Sequence, residues 1–181
     1  MNAPGATSTV LHGVFVELFD VGVLITGPSG VGKSELALEL LSRGHRLIAD
    51  DAVICRLGPG DGLIGECPEL LKGFLEVRGL GVVNVERIYG QHSVVGARAM
   101  ELVIELGAPD TIGTPEERVG GRRRLCRVLG RELHSIALWT GSQHHPAALA
   151  EAAARDHRLR CTGYDATADF AQRQVAKAAR R

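Results

Sequence analysis

Gly27-Pro28-Ser29-Gly30-Val31-Gly32-Lys33-Ser34 decides how this chain is read. It matches G-x-x-x-x-G-K-[ST], a phosphate loop, in which glycines let backbone N–H groups curl around phosphate oxygens without Cβ clashes. The apolar run Val23-Leu24-Ile25 precedes it. Behind it, Leu36, Leu40 and Leu41 recur at helical spacing between Glu35 and Arg43, and Gly44 supplies the stop. A strand, a glycine loop and a helix are the context this chemistry needs. The helix start turns its positive end to the anion, Lys33 reaches the β- and γ-phosphates, and the Ser34 hydroxyl ligates Mg²⁺. Gly27, Pro28, Ser29, Gly30, Val31, Gly32, Lys33 and Ser34 together form the candidate nucleotide site.

On the N-terminal side, Val14–Leu18 and Val21–Ile25 have strand length and β-branched content, with Asp20 at the turn between them. Residues 1–9 read as a loose tail and 10–181 as one domain. On the C-terminal side, Arg46–Ala49 is a short apolar run ending in Asp50-Asp51, and Val53–Leu57 is a further strand. Gly58–Gly65 reads as a loop rich in Gly, Pro and Asp. Leu70–Val85 alternates apolar and polar residues, broken at Gly73, Gly79 and Gly81. Ala99–Leu106 and Leu133–Trp139 read as strands. Gly107–Gly121 is a long polar loop and a candidate mobile segment. Two helices are expected near Pro146–Arg160 and Asp165–Ala179. The mixture predicts an α/β fold.

The chain has 181 residues, enough for about one domain. Lys+Arg and Asp+Glu each number 21, so the formal net charge is zero. That leaves no global electrostatic pull toward nucleic acid or an anionic membrane. Hydrophobic residues make up 45% and charged residues 23%, a globular composition. No apolar run approaches the ~20 residues of a membrane span. The first nine residues lack the charge and apolar core of a signal peptide. Cys55, Cys67, Cys126 and Cys161 are widely spaced, with no C-x-x-C pair. They read as reduced thiols, consistent with a cytoplasmic protein rather than a zinc or disulfide framework.

Asp50-Asp51 closes an apolar run, which would set a carboxylate at the C-terminal edge of a parallel sheet beside the phosphate loop. A carboxylate there can hold Mg²⁺ or accept a hydroxyl proton. In an extended strand the two would point to opposite sides. The pair also suits a plain turn leading into the Val53 strand. Taken singly, His12 reads as an ordinary core or turn histidine and Arg118 as a solvated surface arginine. Arg122-Arg123-Arg124 reads as a solvated basic turn or, more sharply, as a docking surface for an acidic partner or for phosphate.

The chain resembles the catalytic domain of the bacterial HPr kinase/phosphorylase family. The resemblance is carried by Leu11-His12-Gly13-Val14-Phe15, the phosphate loop, Arg43-Gly44-His45-Arg46-Leu47-Ile48-Ala49-Asp50-Asp51, and Leu75-Glu76-Val77-Arg78-Gly79-Leu80-Gly81. It is dense from Leu11 to Leu106, and thinner around Glu117-Arg118 and through the C-terminal helices. It implies a P-loop kinase domain with a mixed β-sheet core and C-terminal helices. It also implies ATP, or pyrophosphate, as donor, Mg²⁺ as cofactor, and a serine of the phosphocarrier protein HPr as acceptor. The family reverses the transfer by phosphorolysis and assembles as homohexamers. Asp51 matches its catalytic aspartate, base forwards and acid backwards. Ser34 and Glu76 match its Mg²⁺ ligands, with Asp50 beside them. His12, Lys33 and Arg118 match its other active-site positions. Glu76 stands in an apolar run, where burial would disfavour its charge unless a metal or an arginine such as Arg78 compensates.

Three departures from the family pattern stand out. Pro28 replaces a usual acidic residue. In the segment Trp139–His144, His144 stands where the family has an arginine tied to phosphorolysis, so that direction is expected to be weak. The chain also begins almost at the catalytic domain, whereas family members usually carry an N-terminal domain before it. Two other functions share the phosphate loop, a small-molecule kinase with a lid of arginines and a nucleotide-sensing regulator that has lost turnover.

Overall fold

The computed structural model describes residues 7–107, 121–139 and 145–179. Among the described residues, six strands form the main sheet. They are β2 (Val14–Leu18), β3 (Val21–Thr26), β4 (Arg46–Ala49), β10 (Leu102–Gly107), β11 (Arg123–Val128) and β12 (Arg131–Trp139), in the order β11-β12-β10-β3-β2-β4. β10 runs parallel to both β3 and β12, and the remaining pairs are antiparallel. β2 therefore separates the phosphate-loop strand from the strand carrying Asp50. The expectation of a parallel sheet edge for the aspartates is corrected to a mixed sheet, because the tight turn at Phe19-Asp20 folds β2 straight back along β3. Both turn residues take positive φ, 50° and 67°, the combination of a two-residue hairpin turn.

A second, antiparallel sheet joins β1 (Ser8–His12), β5 (Ala52–Leu57), β6 (Leu63–Glu66) and β9 (Ala97–Ala99). It corrects two sequence expectations. Thr9 pairs with Cys55 and Ser8 with Arg56, so the end of the assigned tail is a strand. Leu63–Glu66 is also a strand, although Gly and Pro before it look like loop. The single strand read over Ala99–Leu106 is two, broken where Met100 N–H donates to Leu63 O (2.8 Å) and Glu101 N–H to Gly22 O (2.9 Å). Those two bonds stitch the sheets together.

The central strands of the main sheet alternate, as period-two side chains require. Val14, Val16, Val23, Ile25, Leu102 and Ile104 face a core closed by α1 (Lys33–Ser42) and α3 (Pro146–Cys161). Phe15, Leu24 and Val103 face the second sheet with Val53, Cys55 and Leu63. α3 approaches closely because its inner face is Ala147, Ala150, Ala153 and Ala154. A hairpin of β7 (Phe74–Val77) and β8 (Gly81–Asn84) leads into a short helix, α2 (Val85–Tyr89). A last helix, α4 (Ala166–Ala178), is capped by Asp165, whose carboxylate accepts from Thr167 N–H at 2.8 Å. Arg123 and Arg124 lie in β11 rather than in a solvated turn, and Arg123 pairs with Asp156 at 2.6 Å.

His157 of α3 is 5% exposed, edge-on to the His134 ring at 5.5 Å. Burial, then the nearby His134 and Arg123, push its pKa below the ordinary 6.5. In the unfolded chain it takes up a proton near 6.5, while the folded chain resists protonation until lower pH. Its contribution to stability is therefore full above pH 6.5 and is lost as pH falls toward the depressed value. The loss proceeds at no more than about 1.4 kcal/mol per pH unit. His157→Gln is expected to flatten that part of the stability profile, read by urea denaturation between pH 7.5 and 5.

Candidate active site

β3 ends at Thr26 and the chain turns at Gly27, where φ is 140° and an added Cβ would stand 2.4 Å from Leu106 O. No side chain fits there. The loop closes with Val31 N–H donating to Pro28 O (3.3 Å), and Gly32 stands at the N-cap of α1, giving the helix no side-chain cap. First-turn N–H groups with no capping side chain, beside a loop whose Gly27, Gly30 and Gly32 all take positive φ, are the features of an anion site. Lys33 Nζ donates to Gly27 O and Pro28 O, both at 3.0 Å, which arches its stem over the loop.

Ser29, Gly30, Gly32, Lys33 and Ser34 line a cleft of about 440 Å³. Gly27, Pro28 and Val31 stand behind that lining. Gly27 and Pro28 supply the carbonyls that hold Lys33, and Val31 packs on the core.

The opposite wall comes from two distant segments. β1 delivers His12, and the turn between β4 and β5 delivers Asp50 and Asp51. His12 Nδ1 lies 2.9 Å from Asp51 Oδ1, with both side chains largely exposed. Asp51 has φ 64°, and Ala52 N–H donates across it to Asp50 O at 2.7 Å. This is a γ-turn, a strained conformation for a residue with a Cβ. Gly13 N–H fixes the Asp51 carbonyl at 3.2 Å. The extended geometry read for the aspartate pair is thus corrected. The turn sends Asp51 out toward His12 and Asp50 inward.

Asp50 is 9% exposed and accepts from Glu76 N–H at 2.9 Å. Burial raises its pKa above the ordinary aspartate value, opposed by the N–H groups of Glu76 and Asp51 and reinforced by the Asp51 and Glu76 carboxylates. A cation in the cleft would favour its charged form.

The β7–β8 hairpin forms the third wall. Its alternation buries Leu75 and Val77 and turns Glu76 outward, so Glu76 is exposed and the burial penalty expected from its apolar run does not arise. Among the described residues no ion pair joins it to Arg78. The Arg78 guanidinium lies instead beside Gly30, within 3.1 Å of where a Cβ there would stand. Arg78, Gly79 and Gly81 also line the cleft, whereas the sequence marks Arg78 only as a partner for Glu76 and the glycines only as breaks. Their signal was present in Glu76-Val77-Arg78-Gly79-Leu80-Gly81, whose glycines mark a tight turn beside a charged pair.

The oxygens of Ser34, Asp50 and Glu76 are hard donors suited to Mg²⁺, which takes one or two carboxylates and completes its shell with phosphate and water. Among the described residues no three His, Cys, Asp or Glu side chains cluster closely enough to hold a metal on their own. The donor set fits a metal that arrives with phosphate. Arg118 and His144 lie outside the described residues.

Comparison with known proteins bears on the same cleft. Residues 5–174 match the family model described as HPr Serine kinase C-terminal domain. The chain is 45% identical over 172 residues to an HPr kinase/phosphorylase of Chromobacterium violaceum, covering 94% of this chain and 54% of that protein. It is 48% identical over 171 residues to an HPr kinase/phosphorylase of Stenotrophomonas maltophilia, covering 93% and 54%. The chain thus spans about half the length of the curated relatives it matches. A solved structure of the Hpr(Ser) kinase/phosphatase from Coxiella burnetii superposes with a TM-score of 0.81 at 31% identity, covering 90% of this chain and 98% of that one. Among the described residues no helix is long and apolar enough to cross a membrane.

Proposed function

Because the chain belongs to the HPr Serine kinase C-terminal domain family, we propose that it is an ATP-dependent protein kinase that phosphorylates a serine of HPr or a similar phosphocarrier. The observation that carries this reading is the 2.9 Å His12–Asp51 pair across one cleft from an uncapped phosphate loop. A serine hydroxyl is a poor nucleophile until a carboxylate orients it or takes its proton. Asp51 is the group exposed to do so, and His12 holds its Oδ1. The acceptor Oγ forms a bond to the γ-phosphorus, the bond from that phosphorus to ADP breaks, and the hydroxyl proton goes to Asp51. Lys33 and the α1 N-terminus offset the charge on the phosphate oxygens. Ser34, Asp50 and Glu76 would hold Mg²⁺, whose chemistry is to neutralise the triphosphate. Arg118 is assigned the role of a further cation at the transferring group. The working assembly is a homohexamer in the cytoplasm, with no nucleic acid or membrane partner.

The test supplies Mg²⁺, γ-labelled ATP and HPr. Label is expected on a serine of HPr. ATP binding without transfer would favour a nucleotide-sensing regulator, and label on a metabolite from cell extract a small-molecule kinase. The reverse assay, serine-phosphorylated HPr with inorganic phosphate, is expected to release pyrophosphate slowly, because His144 lacks the two-pronged grip of arginine. Brisk release would remove that part of the proposal.

A further inference from the structure

The chain holds one tryptophan, Trp139. It is the last residue of β12 and pairs in register with Gly107 at the end of β10. It is only partly buried. The Arg122 guanidinium lies over its ring, 4.8 Å from the centroid. Arg122 is itself fixed across from β12, its carbonyl accepting from Ala137 N–H at 3.1 Å. The cation holds one face of the ring, and a partly exposed indole is a surface on which a planar base stacks.

Its place along the edge supplies the rest. The β10 carbonyl of Leu106 reaches the first glycine of the phosphate loop, and Trp139 stands one strand beyond. From β3 to β12 is two strand spacings, about 10 Å. On the other side of the loop, across β2, lie Asp50 and Asp51 at the end of β4. The C-terminal edge of the sheet therefore reads in order as acids, phosphate loop, aromatic. A triphosphate whose γ-phosphate meets Asp51 and whose β-phosphate rests on the loop would carry its base on the far side of the loop from the acids, the side of β10 and β12.

We propose that Trp139, backed by Arg122, is the stacking platform for the base of the nucleotide, a purine subsite outside the cleft that holds the phosphates. The proposal rests on the phosphate-loop reading, and the experiment separates the two. The whole chain is titrated with ATP and with inorganic tripolyphosphate, both with Mg²⁺, by calorimetry and by tryptophan emission, which reports on Trp139 alone. ATP is expected to change the emission and tripolyphosphate to leave it unmoved. Trp139→Leu, which keeps apolar bulk, is expected to bind ATP roughly tenfold more weakly and tripolyphosphate unchanged. Trp139→Phe is expected to recover most of the loss. Equal ATP affinity in Trp139→Leu and the parent chain, with no change in emission, would overturn the subsite and leave the phosphate loop standing. Failure of the parent chain to bind either compound would overturn the phosphate-loop reading and the subsite with it.

Discussion

Asp51→Asn is expected to lower serine phosphorylation by roughly 10²–10⁴-fold, the contribution of a positioned base, while the melting temperature stays within a degree or two. Both halves follow from the turn at Asp51. Its φ of 64° belongs to the left-handed region, which asparagine enters more readily than most residues. The γ-turn and the Gly13–Asp51 backbone bond therefore survive, and so does a polar contact with His12. What disappears is a group able to take a proton. Initial rates of HPr labelling and a thermal melt on the same preparation measure the two effects. A variant that retains most of its rate would remove Asp51 from the role of base. Asp51→Ala is a poorer test, because alanine in the left-handed region costs about 1 kcal/mol and confounds stability with chemistry.

Gly22→Ala is expected to destabilise the fold by about 3 kcal/mol or more, or roughly 10 °C in melting temperature for a chain of this size. Gly22 lies in β3 where the two sheets touch. An added Cβ would stand 1.9 Å from Ala99 O and 3.1 Å from Cζ of Phe15. Neither neighbour can give way. Ala99 is in the edge strand of the second sheet, and Phe15 is fully buried between the sheets. Moving Ala99 would also strain the adjoining Glu101 N–H to Gly22 O bond. Gly96→Ala is the matched control, since a Cβ there meets nothing within 4 Å, and its effect is expected within about 0.5 kcal/mol. Urea denaturation of both variants checks the difference.

The local half of the site is legible in residue order. The phosphate loop and its helix form within sixteen consecutive residues, 27–42, so glycine spacing and leucine periodicity suffice to place them. The other half is not. Nothing near His12 in the sequence shows that it meets Asp51, because the meeting is made by the pairing of β1 with β5. Asp51 suits an extended strand and a plain turn alike in the sequence, and one hydrogen bond across it, from Ala52 N–H to Asp50 O, decides its direction. Glu76 reads as buried from its apolar neighbours, and only the two-stranded hairpin shows that its face is the open one. Arg122 and Arg123 are adjacent in a run of three arginines, yet one backs Trp139 and the other pairs with Asp156. Arg122 precedes β11 and Arg123 opens it, so the two side chains meet different partners. The resemblance names His12, Lys33, Ser34, Asp50, Asp51 and Glu76, which the fold brings to one cleft, but it does not supply the geometry of their contacts.

The pairing of β1 with β5 also governs when the cleft can assemble during folding. The loop at residues 27–34 is a local element, whereas Asp51 and His12 meet only after a distant strand pairing has formed, and Asp50 meets Glu76 across 26 residues. Non-local pairings form late, because chain closure costs entropy before contacts repay it. On the proposed function, a half-folded chain would hold an anion without being able to transfer its phosphoryl group, and competence would arrive with the closure of the second sheet.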